Sequence, residues 1–164
     1  MIRIALASAL LTAAPGAQVI YSRTEAERDV HAVMETFRTA IIRRDKAAFL
    51  ALFHDGPVIW QGVDSDALAA KSKRRPGMDT KVAFDPGKTP ASFIDDIANE
   101  KRSSEERYEN VAIDTDGDVA SVTFDFVYLL GDRSINAGKE AWHLVRTERG
   151  WKIVSVIYSN RDPA

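Results

Sequence analysis

The last third of the chain contains three long segments of strand character: Asp118–Gly131, Ala137–Arg146 and Gly150–Ser159. They are joined by tight-turn signals at Gly131-Asp132 and Arg149-Gly150, with a further one at Asp116-Gly117 before the first. A long antiparallel meander behind a helical first half restricts the architecture to a few α+β cones whose interior is a pocket. The expected fold is therefore α+β: a cone in which three N-terminal helices pack on a curved, mostly antiparallel sheet.

The helices are readable from caps and apolar spacing. Thr24-Glu-Ala-Glu27 has capping-box spacing, and Val30, Val33, Met34, Phe37 and Ile41 recur on one helical face up to Arg43-Arg44. This predicts a first helix over about 25–44. Asp45 caps a shorter second helix carrying Phe49, Leu50, Leu52 and Phe53, stopped by Gly56-Pro57. Val58-Ile-Trp60 reads as a short strand. Residues 61–88 show little periodicity and read as a long loop or partly helical insertion. Thr89-Pro90 then opens a third helix with Phe93, Ile94, Ile97 and Ala98 on one face. The strands follow at about 106–115, 118–130, 135–147 and 151–159.

Composition narrows the function classes. With 164 residues, one hydrophobic core suffices, and the absence of cysteine excludes disulfides, thiolate zinc sites and cysteine nucleophiles. A formal charge of −2 gives no general attraction to nucleic acid or to an anionic membrane. The start of the chain has a basic residue, Arg3, an apolar run Ile4–Ala14 and a small-residue end Pro15-Gly-Ala17. Residues 1–17 therefore read as a signal peptide, leaving 18–164 as a single domain in the periplasm or outside the cell. The run is shorter than the roughly 20 residues of a membrane span, so no stable membrane anchor is expected.

The helix pair ending Phe53-His-Asp55, the strand with Trp60, a third helix, and the series Gly138–Arg146 and Gly150-Trp-Lys-Ile-Val-Ser-Val-Ile-Tyr-Ser159 together resemble the nuclear transport factor 2-like superfamily, in its SnoaL-like bacterial branch. The resemblance spans about residues 24–161. It implies the cone fold and often a homodimer. It does not fix an activity, because the superfamily includes isomerases, cyclases, dehydratases, hydrolases, assembly hubs and transport factors. Related hub domains place polar pocket residues at positions matching Phe126, Trp142 and Tyr158, which implies an aromatic pocket here.

Alternation identifies the candidate lining. In the strand from Val119 the even positions, including Phe126 and Tyr128, are apolar or aromatic, while Ser121, Thr123 and Asp125 lie opposite. Trp60, Phe126, Tyr128, Trp142 and Tyr158 are thus the candidate ligand-binding residues, either as an aromatic box or as packed core. In the next strand Glu140, Trp142, Leu144 and Arg146 share one face, and grouping Trp142 and Leu144 with the aromatic face puts His143 outside. Asp125 has the wrong parity for the interior, so no catalytic carboxylate is assigned. His54-Asp55 reads as a helix end and His31 has no evident partner. Glu105-Glu106 and Asp114-Thr-Asp116 read as solvated strand ends, and the basic run Lys71, Lys73, Arg74, Arg75 as a solvated loop. The histidines lack ligand spacing, so neither a metal nor a cofactor is expected.

Three functions remain. The preferred one is an exported module that holds a small, largely apolar molecule without transforming it. The second is a cofactor-independent isomerase, cyclase or dehydratase using acid–base chemistry in the pocket. The third is a dimerisation or interaction domain built on the outer sheet face, with Val154, Val156 or their odd neighbours. One ionisable group buried in the cavity beside a tyrosine would discriminate among them.

Overall fold

A computed structural model describes residues 21–71, 79, 81, 82 and 85–163. The 1–17 segment lies outside the described residues, as do Lys73, Arg74 and Arg75 of the basic run. Helix α1 (Arg23–Arg43) buries Ala26, Val30, Val33, Met34, Phe37, Ala40 and Ile41, the stripe expected from the spacing. Its capping box is formed by Ser22 and Glu25, two residues before the Thr24–Glu27 pair. Both pairs have the required spacing, but Tyr21 is anchored by its hydroxyl to Asp29 (2.7 Å) and by the Trp151 indole N–H (3.1 Å), which fixes the chain entry at Ser22.

Helix α2 (Lys46–Leu50) is capped by Asp45, whose carboxylate accepts from the Ala48 N–H at 2.9 Å. Strand β1 (Ile59–Asp64) extends further than the sequence suggested and leads to a short helix α3 (Asp66–Lys71). Helix α4 (Pro90–Asn99) begins with a Thr89–Ser92 capping box and Pro90 in its first turn. The described residues thus contain four helices rather than three, the additional one lying in the 61–88 segment. Asp66 in the first turn and Lys71 in the last suit the helix dipole, but a six-residue helix carries too short an apolar period to be read from sequence.

Strands β2 (Ser104–Thr115), β3 (Val119–Leu130), β4 (Arg133–Thr147) and β5 (Gly150–Asn160) form the meander. The sheet order is β1-β5-β4-β3-β2, with β1 parallel to β5 and the other pairs antiparallel. The hairpins turn at Gly117, Gly131 and Gly150, all with left-handed φ. The core between helices and sheet is aromatic, with Trp142 centred 4.7 Å from Phe37 and 5.1 Å from Phe124.

Register irregularities curve the sheet. Pairing shifts between Glu109 and Ala112 on β2, between Tyr128 and Leu129 where β4 carries an extra residue, and between His143 and Leu144 where β5 does. The β5 shift changes which positions face inward: Trp151 and Ile153 are buried before it, and Val156 after it. Val156 is therefore a core residue and not part of the outer face, a correction that follows from one inserted residue at Val154. Gly138 allows a close approach of β4 to the end of β5, since a Cβ there would lie 1.9 Å from the Ser159 carbonyl oxygen.

Candidate functional site

The open end of the cone encloses a cavity of about 200 Å³. Every layer of the fold contributes to it: Trp60 from β1, Phe93 from α4, Glu106 from β2, Phe126 and Tyr128 from β3, Ile135, Asn136 and Glu140 from β4, and Tyr158 and Asn160 from β5. Trp60 stands at the centre of the ring contacts, 5.2 Å from Phe93 and 6.1 Å from Tyr158, and Phe93 closes toward Tyr128 at 6.3 Å. Gly62 lets the Tyr158 ring lie against the β1 backbone, because a Cβ there would meet the ring at 3.0 Å.

Four of the five residues selected from sequence, Trp60, Phe126, Tyr128 and Tyr158, line this cavity. Trp142 does not. It is fully buried behind the wall, packed on Phe37 and Phe124, and its indole N–H donates to Glu140 Oε2 at 2.6 Å. Alternation places a residue on the inner face but does not say how deep it lies along the cone.

The feature that sequence reasoning missed is a pair of buried carboxyls. Glu106 is 3% exposed and Glu140 5% exposed, and both face the cavity. Glu106 was expected at a solvated strand end. Its inward phase is shared with Ser104 and Tyr108, and that alternation with an aromatic residue was the available signal. Glu140 is in phase with Trp142 and Leu144, and sits opposite Phe124 on one side and Tyr158 on the other. Glu106 sits opposite Tyr128, which in turn faces Asn136. The two acids therefore reach the cavity from strands flanking β3.

Burial governs their protonation. Loss of hydration drives the Glu106 carboxyl well above the usual carboxylate range, and the charge of Glu140 adds to the effect. Burial also raises Glu140, to about 7, against the Trp142 hydrogen bond, which favours its ionised form. Among the described residues Glu106 Oε1 has no hydrogen-bond partner, and neither does the Tyr108 hydroxyl beside it on β2. The Tyr108, Tyr128 and Tyr158 phenols are all raised, chiefly by burial and further by Glu106, with Glu140 adding to it at Tyr108 and Tyr158. The site therefore combines a carboxyl whose protonated form burial strongly favours with a second raised to about 7. That is the composition required for giving and taking a proton within one cavity.

The other candidates lie elsewhere. His143 is exposed on the outer face, opposite Ser121 and Ser155. His54 is exposed and accepts from the Gly56 N–H, while Asp55 pairs with Arg149. Asp125 is outside, bonded to Lys139 and Asn110. Among the described residues no group of three or more His, Asp or Glu side chains is placed to hold a metal. A larger open groove of about 490 Å³ lies by Tyr21, Arg146 and Trp151 at the far end of β4. Its cations are already engaged, Arg146 by Asp118, Arg149 by Asp55 and Lys152 by the Ala51 carbonyl.

No protein-family model matches the chain, and no curated protein matches it. Solved structures do. An NTF2-like protein of unknown function from Shewanella baltica OS155 is 19% identical with a TM-score of 0.59, covering 87% of this chain and 98% of that one. An NTF2-like protein with a cystatin-like fold from Novosphingobium aromaticivorans is 13% identical with a TM-score of 0.61, over 86% and 85% of the two chains. A proposed dehydratase of the NTF2-like family from Streptomyces avermitilis is 18% identical with a TM-score of 0.59, over 85% and 99%. The protein therefore has the NTF2-like fold.

Proposed function

We propose that the protein is a cofactor-independent acid–base enzyme acting on a small, largely apolar molecule held in the cone. The observation that carries this reading is the presence of two buried carboxyls, Glu106 and Glu140, in one ring-lined cavity. Glu140, steadied by the Trp142 indole, is the base that takes a proton from carbon; Glu106, protonated and without a partner on Oε1, is the acid that gives one to a heteroatom. A 1,2-elimination needs both roles. The base removes the C–H proton, its electron pair forms the double bond, and the leaving heteroatom departs with the proton from the acid. An isomerisation uses the same pair in succession. The S. avermitilis protein, named as a proposed dehydratase, is consistent with this class of chemistry on the same fold.

Small ring ketones, hydroxy ketones and amino ketones incubated with the protein in D₂O test the reading by mass spectrometry. Carbon-bound deuterium or elimination product is expected with the wild type, and Glu140→Gln should lower the rate by about 10²–10⁴. Saturable binding with neither outcome would favour the second reading, a module that holds its ligand unchanged, which the predominance of rings in the lining supports.

Two further proposals accompany this one. The apolar run at 4–14 supports export, and Met1 retained on protein recovered from the native cell would refute it. Ile59, Val119 and Ile157, exposed at 57, 54 and 41%, support pairing of two copies, to be read by sedimentation. The Gly150-Trp-Lys-Ile153 spacing supports placement in the SnoaL-like branch.

A further inference from the structure

We infer that the molecule taken into the cone is a small amine, held as its ammonium cation against Glu106 and surrounded by the rings of Trp60, Phe93 and Tyr158. This rests on the reading that the cavity admits a small molecule, and it names the heteroatom presented to Glu106 as a basic nitrogen.

Charge provides the first argument. The described residues lining the cavity include two carboxyls but no lysine, arginine or histidine. A buried acid with no cation beside it must keep its proton or find a counter-ion. An amine entering neutral avoids the cost of desolvating a charge and then meets the carboxyl. The Glu106 O–H bond breaks, an N–H bond forms on the nitrogen lone pair, and an ammonium–carboxylate pair results. Nothing is oxidised or reduced. A ligand carboxylate has no such route, and its charge adds to that of Glu140.

The second argument is hydrogen bonding. Glu106 Oε1 is buried and unpartnered among the described residues, a condition that is costly for a polar group. An ammonium brings up to three donors to the carboxylate left after proton transfer, whereas a carbonyl oxygen can only accept from the protonated acid and leaves the other carboxyl oxygen without a donor. The rings supply the third argument. Trp60, Phe93 and Tyr158 line the cavity within 6.1 Å of one another in successive contacts, and aromatic rings attract a cation that stands over them but do not distinguish neutral ligands. The volume, about 200 Å³, compares with the roughly 150 Å³ in which an apolar cavity takes up benzene. It therefore suits one ring bearing a short aminoalkyl group.

Benzylamine, benzyl alcohol and benzoate share this size and differ in charge. Titrated at neutral pH against the protein, with Trp60 fluorescence or calorimetry as readout, benzylamine should bind about tenfold or more tightly than benzyl alcohol, and benzoate should bind weakest. Glu106→Gln should bring benzylamine to the level of the alcohol measured on the same variant. The wild-type ranking is informative whether or not the variant folds. Alcohol or benzoate binding as tightly as the amine, preference retained in Glu106→Gln, or no saturable binding of any probe would each overturn the inference. The acid–base reading is judged separately, by carbon-bound deuterium or elimination in the wild type and its loss in Glu140→Gln.

Discussion

The indole N–H of Trp142 makes two otherwise similar carboxyls unequal. Both are buried, but Glu140 receives a 2.6 Å hydrogen bond that favours its anion, and Glu106 Oε1 receives none. The difference between the two carboxyls thus depends on a residue that does not reach the cavity. Replacing Trp142 with Phe keeps most of the ring packing and deletes the donor, so the Glu140 carboxyl should titrate above its present value of about 7. Carbon-13 titration of the labelled glutamate carboxyls would show this; an unmoved Glu140 would remove Trp142 from its positioning role. Trp142→Ala goes further and opens a cavity among Phe37, Phe124 and Tyr108, with an expected loss of about 3–5 kcal/mol in chemical denaturation. A loss under about 1 kcal/mol would mean that the ring is not the packed core residue described here.

At the scale of elements, the inward lining follows from strand phase, and phase is reset wherever a strand carries an extra residue. The aromatic positions Phe126 and Tyr128 were legible because β3 alternates cleanly through them. Glu106 was not, because charged residues fill both faces of β2 around it and the register shift near Asn110 is marked by no glycine. Asn110 takes a left-handed φ of +53° and donates from its side chain to Asp125 at 2.7 Å, so a polar residue supplies the irregularity. The Val154 insertion was equally silent, since a valine in a run of β-branched residues signals only strand. Two substitutions separate the contributions to curvature. Asn110→Ala should cost about 1–2 kcal/mol through backbone strain and a lost hydrogen bond. Gly138→Ala should cost more, about 3 kcal/mol, because its Cβ would overlap the Ser159 carbonyl oxygen and push β4 from β5 beside Glu140. Urea melts of both variants would rank them, and a Gly138→Ala protein as stable as the parent would show that the close approach to Ser159 is not needed to close the cone.

Over the whole molecule, the buried pair and the surface acids act on stability in opposite directions as pH changes. Glu106 and Glu140 have folded-state values above the unfolded ones, so between those values the native state binds the extra protons. Their contribution is fully present below the unfolded carboxylate value and is lost as pH rises through the folded one. For Glu140 that window runs from the ordinary 4.5 of a free carboxyl up to about 7, and the shift corresponds to an order of 3 kcal/mol. Surface acids such as Asp29, Asp55, Glu100 and Asp125 are held low by hydrogen bonds and cationic partners, so what they contribute is present above the unfolded value and lost as pH falls. The stability maximum should therefore lie on the acid side of neutrality, with a decline between about pH 5 and pH 8 that most globular domains do not show. Glu140→Gln, which keeps the acceptor for Trp142 but cannot ionise, should flatten the part of that decline due to Glu140. Thermal melts at fixed ionic strength across this range check both statements. A maximum at or above neutral pH, or a slope unaffected by Glu140→Gln, would mean that the carboxyl is not buried and protonated in solution, and the acid–base reading of the cavity would fail with it.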